Sequence, residues 1–509
     1  MSNWLKTILF IFLVWAGIYL PRLGSLELHG EEPRRVQSGV TMLETSNWLV
    51  PYVGGEPYLR KPPMINWLVA LSFTITGHQD EFSARLPSAL AVLFLALGMY
   101  GCSRRWLGED HAFFASIALL TTISLMDKGR MIEIEAVYIA AFGLGLLFWI
   151  HFRDASIWAQ WLVPAIPFGF ALLVKGPVHL LFYYGIVGLV LWREKRLREF
   201  LSFAHLLGVF LIVAIFAIWA IPHLQTPEAY EAARTWSNQF SSRLVLSKFH
   251  WKDWLLNYPR ALSNFLPWIL LVPFSRRTEK EEQSLLFGLE VGTLITFMIV
   301  MLAPGSLPRY SMPLLVPVCF LAAHRLKRMP QLQVGWQYGV IGTVILLSLA
   351  IVVGFFLRSD RIYLAIAAVL SIGFFVWWRC LAGQFDVCSL TRSSGIVIIA
   401  AICFYCGAVM PVQLDREVLR PRAAALAKLV PEGEPIYVIN PGSQQIFFYL
   451  RKPWHYVVNW EKLPADARYL LISRCDLPEL TKRFDAKAQR VFAYRDRGEK
   501  ELYLYRIAR

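Results

Sequence analysis

Two adjacent acids and two adjacent bases lie in one short polar part of this 509-residue chain. The acids are Glu31 and Glu32, and the bases are Arg60 and Lys61, which are followed by two prolines. A carboxylate can accept the proton of a hydroxyl or an amine, and cations bind phosphate oxygens. Together they suit an enzyme that holds a lipid-linked phosphate and activates a weak nucleophile.

Each of these groups also has a purely structural explanation. The two acids are explained equally well as a general base and as ion-pair partners of Arg34 and Arg35 in a loop beside a membrane. Lys61 precedes Pro62-Pro63, and prolines restrict the backbone around them, which suits a fixed phosphate clamp. The alternative for Lys61 is an ordinary basic residue at the membrane interface, whose long side chain carries its charge to water.

Three further polar sites occur where apolar segments begin or end. Glu133 precedes one apolar segment and Glu135 lies at its start. Lys175 lies between two segments, and Arg309 and Tyr310 open another. Each site is predicted at the outer end of a different helix. We expect these acids and bases to converge on one face of the protein.

The composition identifies the chain as a membrane protein with many spans. Hydrophobic residues make up 56% of it, aromatic residues 14%, and the mean hydropathy is +0.46, which is too apolar for a soluble enzyme of this length. Thirteen stretches are long and apolar enough to cross a bilayer as helices. They are residues 4–22, 82–101, 111–127, 134–151, 158–174, 177–192, 204–222, 261–274, 284–303, 309–325, 334–357, 361–379 and 395–412.

The distribution of lysine and arginine predicts a cytoplasmic N-terminus. The short loops that would then lie inside hold most of these residues, including Arg104, Arg105 and Arg193. Thirteen spans place the C-terminal tail outside, and the first span lacks a cleavage motif, so it is predicted to be retained. This topology and anionic lipid explain the net charge of +15. No basic domain or zinc spacing points to nucleic acid.

Two domains are predicted. Residues 1–412 form a membrane domain with long outside loops at 25–81 and 223–260, and glycines at 54 and 55 predict a turn in the first loop. Residues 413–509 form a small α/β domain that contains one cysteine, Cys475, so no internal disulfide is expected there. Apolar patterns predict its strands at 435–439, 455–459, 469–473, 490–494 and 502–506, and its helices at 421–430, 444–451 and 477–484.

No nucleotide-binding fingerprint occurs in the chain, neither a phosphate loop nor a strand followed by G-x-G-x-x-G. The acidic and basic sites are predicted outside, where no cytoplasmic pool of nucleotide sugars is available. An activated donor would therefore arrive attached to a lipid.

Four sequences occur in an order typical of one family: Gly30–Pro63, Ala84–Ala89, Lys175–Pro177 and Pro308–Pro313. Together the chain resembles the GT-C glycosyltransferases, in the branch that contains aminoarabinose lipid A transferase and the protein O-mannosyltransferases. The resemblance implies the GT-C fold, with about thirteen transmembrane helices and a periplasmic α/β domain, in the bacterial inner membrane. It also implies inverting transfer of one sugar from a polyprenyl phosphate to a glycolipid, a polysaccharide or a protein at the outer face.

The resemblance also implies roles for individual residues. In the family an acidic pair after the first helix carries the proposed base, and it matches Glu31 and Glu32. The acid near the start of the fourth helix matches Glu135, with Glu133 as the competing match. The lysine of the Lys-Pro-Pro element contacts the donor phosphate, and it matches Lys61. We expect the phosphate to be held also by Arg60, Lys175 and Arg309, and the acceptor or sugar to be contacted by Glu133, Tyr58, Tyr310 and His250.

Two positions depart from the family pattern. The first acid is usually Asp and is Glu31 here, which lengthens the arm that carries the carboxylate. The residue before the clamp lysine is typically a Glu that helps to bind a metal, and here it is Arg60. This replacement argues against a divalent cation at that position and gives the phosphate a second positive charge.

Two other classes of protein would use similar residues. A transporter or flippase of lipid-linked sugars needs cations but no base, and it favours internal repeats and broken helices at the middle of the membrane. A lipid phosphatase needs a His or Asp nucleophile among bases, and the ten histidines do not cluster. The glycosyltransferase is therefore the predicted function, and the transporter is the alternative.

Overall fold

The computed structural model describes residues 3–241, 250–272, 280–329, 331–356, 359–380, 386–439, 445–495 and 501–508. The chain forms two compact units. The helical unit contains Met1–Leu23, Arg60–Ile65 and Arg85–Val412, and the sheet unit contains Gly24–Leu59, Asn66–Ala84 and Gln413–Arg509. The limits predicted for the two domains, 1–412 and 413–509, stay a prediction.

Most of the described chain is α-helical. The helices are α1 (Asn3–Tyr19), α2 (Glu32–Thr45), α3 (Met64–Thr76), α4 (Glu81–Leu107), α5 (Glu109–Leu120), α6 (Ile123–Lys128), α7 (Ile134–Phe152), α8 (Ile157–Val174), α9 (Val178–Arg193), α10 (Phe203–His223), α11 (Ala229–Ser241), α12 (Trp251–Ser263), α13 (Lys280–Leu302), α14 (Leu315–Arg328), α15 (Gln331–Phe355), α16 (Arg361–Cys380), α17 (Val387–Phe404), α18 (Met410–Leu414), α19 (Leu419–Leu429), α20 (Gln445–Leu450) and α21 (Leu477–Phe484). The strands are β1 (Tyr52–Val53), β2 (Glu56–Pro57), β3 (Ile436–Ile439), β4 (Trp454–Val457), β5 (Tyr469–Ser473), β6 (Ala488–Arg495) and β7 (Glu501–Ile507).

Eight helical segments within the described ranges are long and apolar enough to cross a membrane. They are α4, α7, α8, α10, most of α13, α15, most of α16 and the stretch Val387–Leu429. Large apolar side chains on α10, such as Phe210 and Ile218, are exposed, as on a helix that faces lipid. The chain is therefore a multi-pass helical membrane protein, as predicted, and the number of crossings stays a prediction.

The prediction of a membrane helix at 261–274 is wrong. Helix α12 ends at Ser263, and only a short 3-10 helix, Trp268–Leu271, follows within the described part of that range. Pro267 has no N–H with which to continue a helical ladder, and the side-chain amide of Asn264 donates to the carbonyl of Pro308 at 2.9 Å. Hydropathy alone does not reveal this break.

Two other predicted segments differ in detail from the structure. The predicted span 309–325 begins as a 3-10 helix, Pro308–Leu314, and becomes α14 only at Leu315. The predicted outside loop 223–260 contains α11 and most of α12, and residues 242–249 of it lie outside the described residues. Both segments carry residues of the candidate site.

Helix α7 lies in the core of the helical unit and is buried along most of its length. Its glycines allow close packing, because a Cβ at Gly145 would lie 2.3 Å from the ring of Phe168 on α8. Arg130 lies just before α7. Its guanidinium donates to the carbonyl of Ile18, near the end of α1, and to the carbonyl of Pro21, just beyond that end, each at 2.6 Å. The start of α7 is thereby fixed.

The sheet unit contains a five-stranded sheet in the order β4-β3-β5-β7-β6. Strand β3 pairs in parallel with β4 and β5, and β7 pairs antiparallel with β5 and β6. One face packs on α19 and α20 through residues such as Leu426 and Phe447, and the other packs on α21 through Leu480. All five predicted strands and three predicted helices of this small α/β domain are confirmed, with small shifts at their ends.

The predicted turn of the first loop is a β-hairpin formed by β1 and β2. Gly54 and Gly55 lie at φ +61° and +81°, the left-handed region that a two-residue hairpin turn requires. The N–H of Tyr456 on β4 donates to the carbonyl of Gly54 at 2.6 Å. The ring of Trp454 lies against Gly54 and stacks on Phe447 with centroids 4.0 Å apart.

We predict that Gly54→Ala lowers the unfolding midpoint of the purified protein more than Gly77→Ala does. Both glycines have positive φ, but a Cβ at Gly54 would lie 2.3 Å from Trp454, and none of the described atoms lies within 4 Å of one at Gly77. The difference should correspond to about 1–3 kcal/mol of overpacking, and Trp454→Leu should recover part of it. Thermal unfolding in detergent measures this, and equal losses would contradict the described contact.

Candidate active site

Three residues that are far apart in the sequence meet at one end of α7. The carboxylate oxygen Oε1 of Glu135, in the first turn of α7, lies 3.5 Å from Nζ of Lys175 and 3.8 Å from Nε of Arg309. Lys175 follows the last residue of α8, and Arg309 lies in the 3-10 helix Pro308–Leu314. The structure thus brings together one acid and two of the bases that the sequence singled out.

This trio, Glu135, Lys175 and Arg309, differs in exposure from member to member. The side chains of Glu135 and Lys175 are 7% and 14% exposed, and that of Arg309 is 46% exposed. The rings of Tyr138 and Tyr310 lie 5.2 and 5.3 Å from Nζ of Lys175, within the range of a cation–π contact. The trio has one more positive than negative charge, so it is suited to binding an anion such as a phosphate.

Glu133, the competing match for Glu135, has a different partner. Its Oε2 lies 2.9 Å from Nζ of Lys128, and this lysine also lies 3.1 Å from Asp127. Glu133 is thus paired with Lys128, a residue that the sequence patterns did not single out. The roles assigned to the two acids stay a prediction.

Lys61 contacts a helix of the second long loop. Its Nζ donates to Oε1 of Gln239 on α11 at 3.3 Å, and the neighbouring Arg60 is exposed. The sequence did not predict Gln239 as a contact of Lys61. The only indication was that Gln239 lies in a polar and aromatic segment. His250 is exposed immediately before α12, and its contact with a sugar stays a prediction.

The two acids of the first loop belong to the sheet unit and lie in different environments. Glu31 is 43% exposed, and Nη1 of Arg34 donates to its two carboxylate oxygens at 3.1 and 3.2 Å. Glu32 begins α2 and is fully buried, and its Oε2 accepts the backbone N–H of His29 at 3.1 Å. The ion pair considered as the structural explanation of Glu31 is present, whereas Glu32 is part of the buried framework.

Tyr58 also lies in the sheet unit and packs against α2. The guanidinium of Arg35 lies 5.1 Å from the centroid of its ring, and Arg35 is buried. The side-chain amide of Asn66 donates to the carbonyl of Arg35 at 3.2 Å. Packing therefore accounts for the position of Tyr58, and its contact with an acceptor or sugar stays a prediction.

The residues around Lys61 do not fit a divalent cation. A metal ligand must offer a lone pair, and the guanidinium of Arg60, at the position of the family's carboxylate, has none to offer. Across the described ranges of the chain, no group of three or more His, Cys, Asp or Glu side chains could hold a metal ion.

Solved structures share this fold over nearly the whole chain. The structure of ArnT from Cupriavidus metallidurans in the apo state matches with a TM-score of 0.73 at 19% identity, covering 99% of this chain and 98% of that one. The structure of the same protein bound to undecaprenyl phosphate matches with a TM-score of 0.74 at 18% identity and the same coverage. The chain therefore has the GT-C fold.

Sequence comparisons find relatives in the branch that the sequence resembles. The family model of dolichyl-phosphate-mannose-protein mannosyltransferases matches residues 60–221. Two relatives are named undecaprenyl phosphate-alpha-4-amino-4-deoxy-L-arabinose arabinosyl transferase. The one from Pseudomonas savastanoi pv. phaseolicola is 26% identical over 62% of this chain and 60% of its own length, and the one from Pseudomonas fluorescens is 25% identical over 69% and 64%. The resemblance to the aminoarabinose transferase and protein O-mannosyltransferase branch is confirmed, although the match spans less than two thirds of these relatives.

We predict that Glu135 and Lys175 are energetically coupled. Lys175→Met removes the nearest cation of a buried carboxylate, so it should lower stability more than Arg309→Met, whose side chain is half exposed. The double variant Glu135→Gln/Lys175→Met should lose less stability than the two single variants added together, by about 0.5–3 kcal/mol. Unfolding midpoints in detergent measure the coupling, and strictly additive losses would contradict the pairing.

Proposed function

We propose that the protein is an inverting glycosyltransferase that moves one sugar from a polyprenyl-phosphate donor to a lipid, glycan or protein acceptor. The observation that carries this proposal is the trio of Glu135, Lys175 and Arg309, in which a buried carboxylate lies beside two cations and the excess positive charge is suited to a phosphate. It occurs in a fold that the undecaprenyl phosphate-bound ArnT structure shares. The relatives are named as transferases, which favours transfer over the transporter alternative.

The reaction is proposed at the outer face of the bacterial inner membrane. The N-terminus would be cytoplasmic and residues 413–509 periplasmic, because the predicted inside loops hold most of the lysine and arginine. A donor carried on a lipid also explains why the sequence has no nucleotide-binding fingerprint.

On the donor side, the cations would neutralise the phosphate as it leaves. When the acceptor attacks C1 of the sugar, the bond from C1 to the phosphate oxygen breaks and negative charge grows on the phosphate. Lys61, Lys175 and Arg309, with Arg60, would stabilise this charge, and cations that are already in position contribute most in the transition state. Glu135 would orient the acceptor or stabilise positive charge on the sugar ring.

On the acceptor side, the different environments of the two acids favour Glu31 as the base. A base must come within hydrogen-bond reach of the proton that it takes, and Glu31 is partly exposed whereas Glu32 is fully buried. Glu32 would then hold the start of α2 through the N–H of His29. A single displacement assisted by one base inverts the configuration at the sugar carbon.

We predict that a strain lacking this gene regains a sugar modification when it is complemented with the wild-type gene, but not with Lys61→Ala. The variant loses the cation proposed to stabilise the leaving phosphate, and loss of such a group costs about 10²–10³-fold in rate. Mass spectrometry of membrane lipids, glycans and proteins identifies the modified acceptor. Lys428→Ala, an exposed lysine of α19, is the control. Wild-type modification by a folded Lys61→Ala protein would contradict the clamp, and no modification by the wild type would contradict the function.

We predict that Glu31→Gln lowers the rate of transfer by about 10²–10⁴-fold, as expected for loss of a general base. Its unfolding midpoint should stay close to that of the wild type because the side chain is partly exposed. Glu32→Gln should instead lower the midpoint, because it alters a fully buried carboxylate. Rates are measured with purified protein, with Glu44→Gln on the exposed part of α2 as the control. A fully active Glu31→Gln protein would exclude Glu31 as the base.

A further inference from the structure

The tail of the chain binds the segment that leads to the two acids. Glu27 is fully buried, and its carboxylate oxygens accept the N–H groups of Leu419 at 3.2 Å and Arg420 at 2.7 Å. These N–H groups begin α19, whose N-cap residue Val418 supplies no side-chain cap. A carboxylate at a helix N-terminus satisfies unpaired N–H groups and interacts favourably with the helix dipole. Glu27 thus caps a helix that begins 392 residues later.

Tyr449 on α20 makes a second connection to the same segment. Its hydroxyl accepts the N–H of Leu28 at 2.7 Å and donates to Oε1 of Glu81 at 2.9 Å. The guanidinium of Arg420 donates to the same oxygen of Glu81. Burial, together with the charge of Glu81, raises the pKa of Tyr449, so the phenol keeps the proton that it donates.

The connection at Leu28 continues directly to Glu32. The ring Nδ1 of His29 lies 3.2 Å from the carbonyl of Glu27, and the N–H of His29 donates to the Glu32 carboxylate at 3.1 Å. The N–H of Glu32 in turn donates to the carbonyl of His29 at 3.2 Å. A displacement at Leu28 would therefore be passed to the first turn of α2 and to the neighbouring Glu31.

We propose that Tyr449 is a positioning residue for the acidic pair and that residues 413–509 serve the reaction by holding segment 27–32. This inference rests on the proposed function, in which Glu31 takes the acceptor's proton. A misplacement of about 1 Å can cost about 10²-fold in rate. Tyr449→Phe deletes one oxygen and leaves the N–H of Leu28, a fully buried residue, without its acceptor.

Tyr449→Phe tests the inference in the purified full-length protein. With undecaprenyl phosphate-linked aminoarabinose as donor and the acceptor identified by mass spectrometry, kcat should fall roughly 10- to 100-fold. The Kd for undecaprenyl phosphate should stay unchanged, because the proposed clamp residues belong to the helical unit. Hydrogen exchange should rise in residues 27–35. The control is Tyr503→Phe, which removes a phenol that donates to Glu501 within β7 at 2.6 Å.

The activity of Tyr449→Phe distinguishes a positioning role for the phenol from a purely structural one. A folded Tyr449→Phe protein with wild-type kcat would overturn it, even if hydrogen exchange rises, because the bond would then be only structural. If Tyr449→Phe does not fold, Glu81→Gln is the second variant. It keeps the phenol of Tyr449 and weakens the hydrogen bond that the phenol donates to residue 81. A wild-type kcat in Glu81→Gln would overturn the inference. If the wild-type protein transfers no sugar from this donor, the proposed function fails for aminoarabinose instead. Hydrogen exchange in residues 27–35 then still decides whether Tyr449 holds this segment. If Tyr449→Phe and the wild type exchange equally there, Tyr449 does not hold it.

Discussion

The buried carboxylate of Glu135 constrains the arrangement of the helices around it. A charge in a low-dielectric interior is costly unless an opposite charge lies close to it. Lys175 and Arg309 meet that requirement, and each comes from a different part of the chain. The end of α8 and the 3-10 helix before α14 must therefore come to the start of α7, so the same contacts that stabilise the charges place two cations side by side.

The membrane explains why much of the fold was predictable from the sequence. A spanning segment must be apolar and must satisfy its own backbone hydrogen bonds, so helices such as α10 and α15 are visible in hydropathy alone. The strands of the sheet unit were predictable because their apolar side chains point alternately to two hydrophobic cores, one on each face of the sheet. The break after Ser263 was not, because it depends on Pro267 and on the bond from Asn264 to Pro308, a residue 44 positions away.

The candidate site shows a similar division between residue type and environment. The order of acids and bases and the family resemblance indicated which residues to consider, including Lys61 and Glu135. They did not distinguish Glu31 from Glu32, because adjacent and chemically identical side chains differ only in what surrounds them. The support from Glu27 and Tyr449 was also hidden, since their partners lie about 400 residues apart in sequence and local patterns carry no record of such contacts.

The two compact units divide the proposed chemistry between them. The residues assigned to the donor phosphate belong to the helical unit, and the acids assigned to the acceptor belong to the sheet unit. Substitutions around Lys175 should act mainly through the charge that grows on the phosphate, whereas substitutions around Glu31 should act through proton transfer. Under the proposed function, a domain that fixes segment 27–32 can change the rate of transfer through the position of Glu31, because a base must lie within hydrogen-bond reach of the proton that it takes.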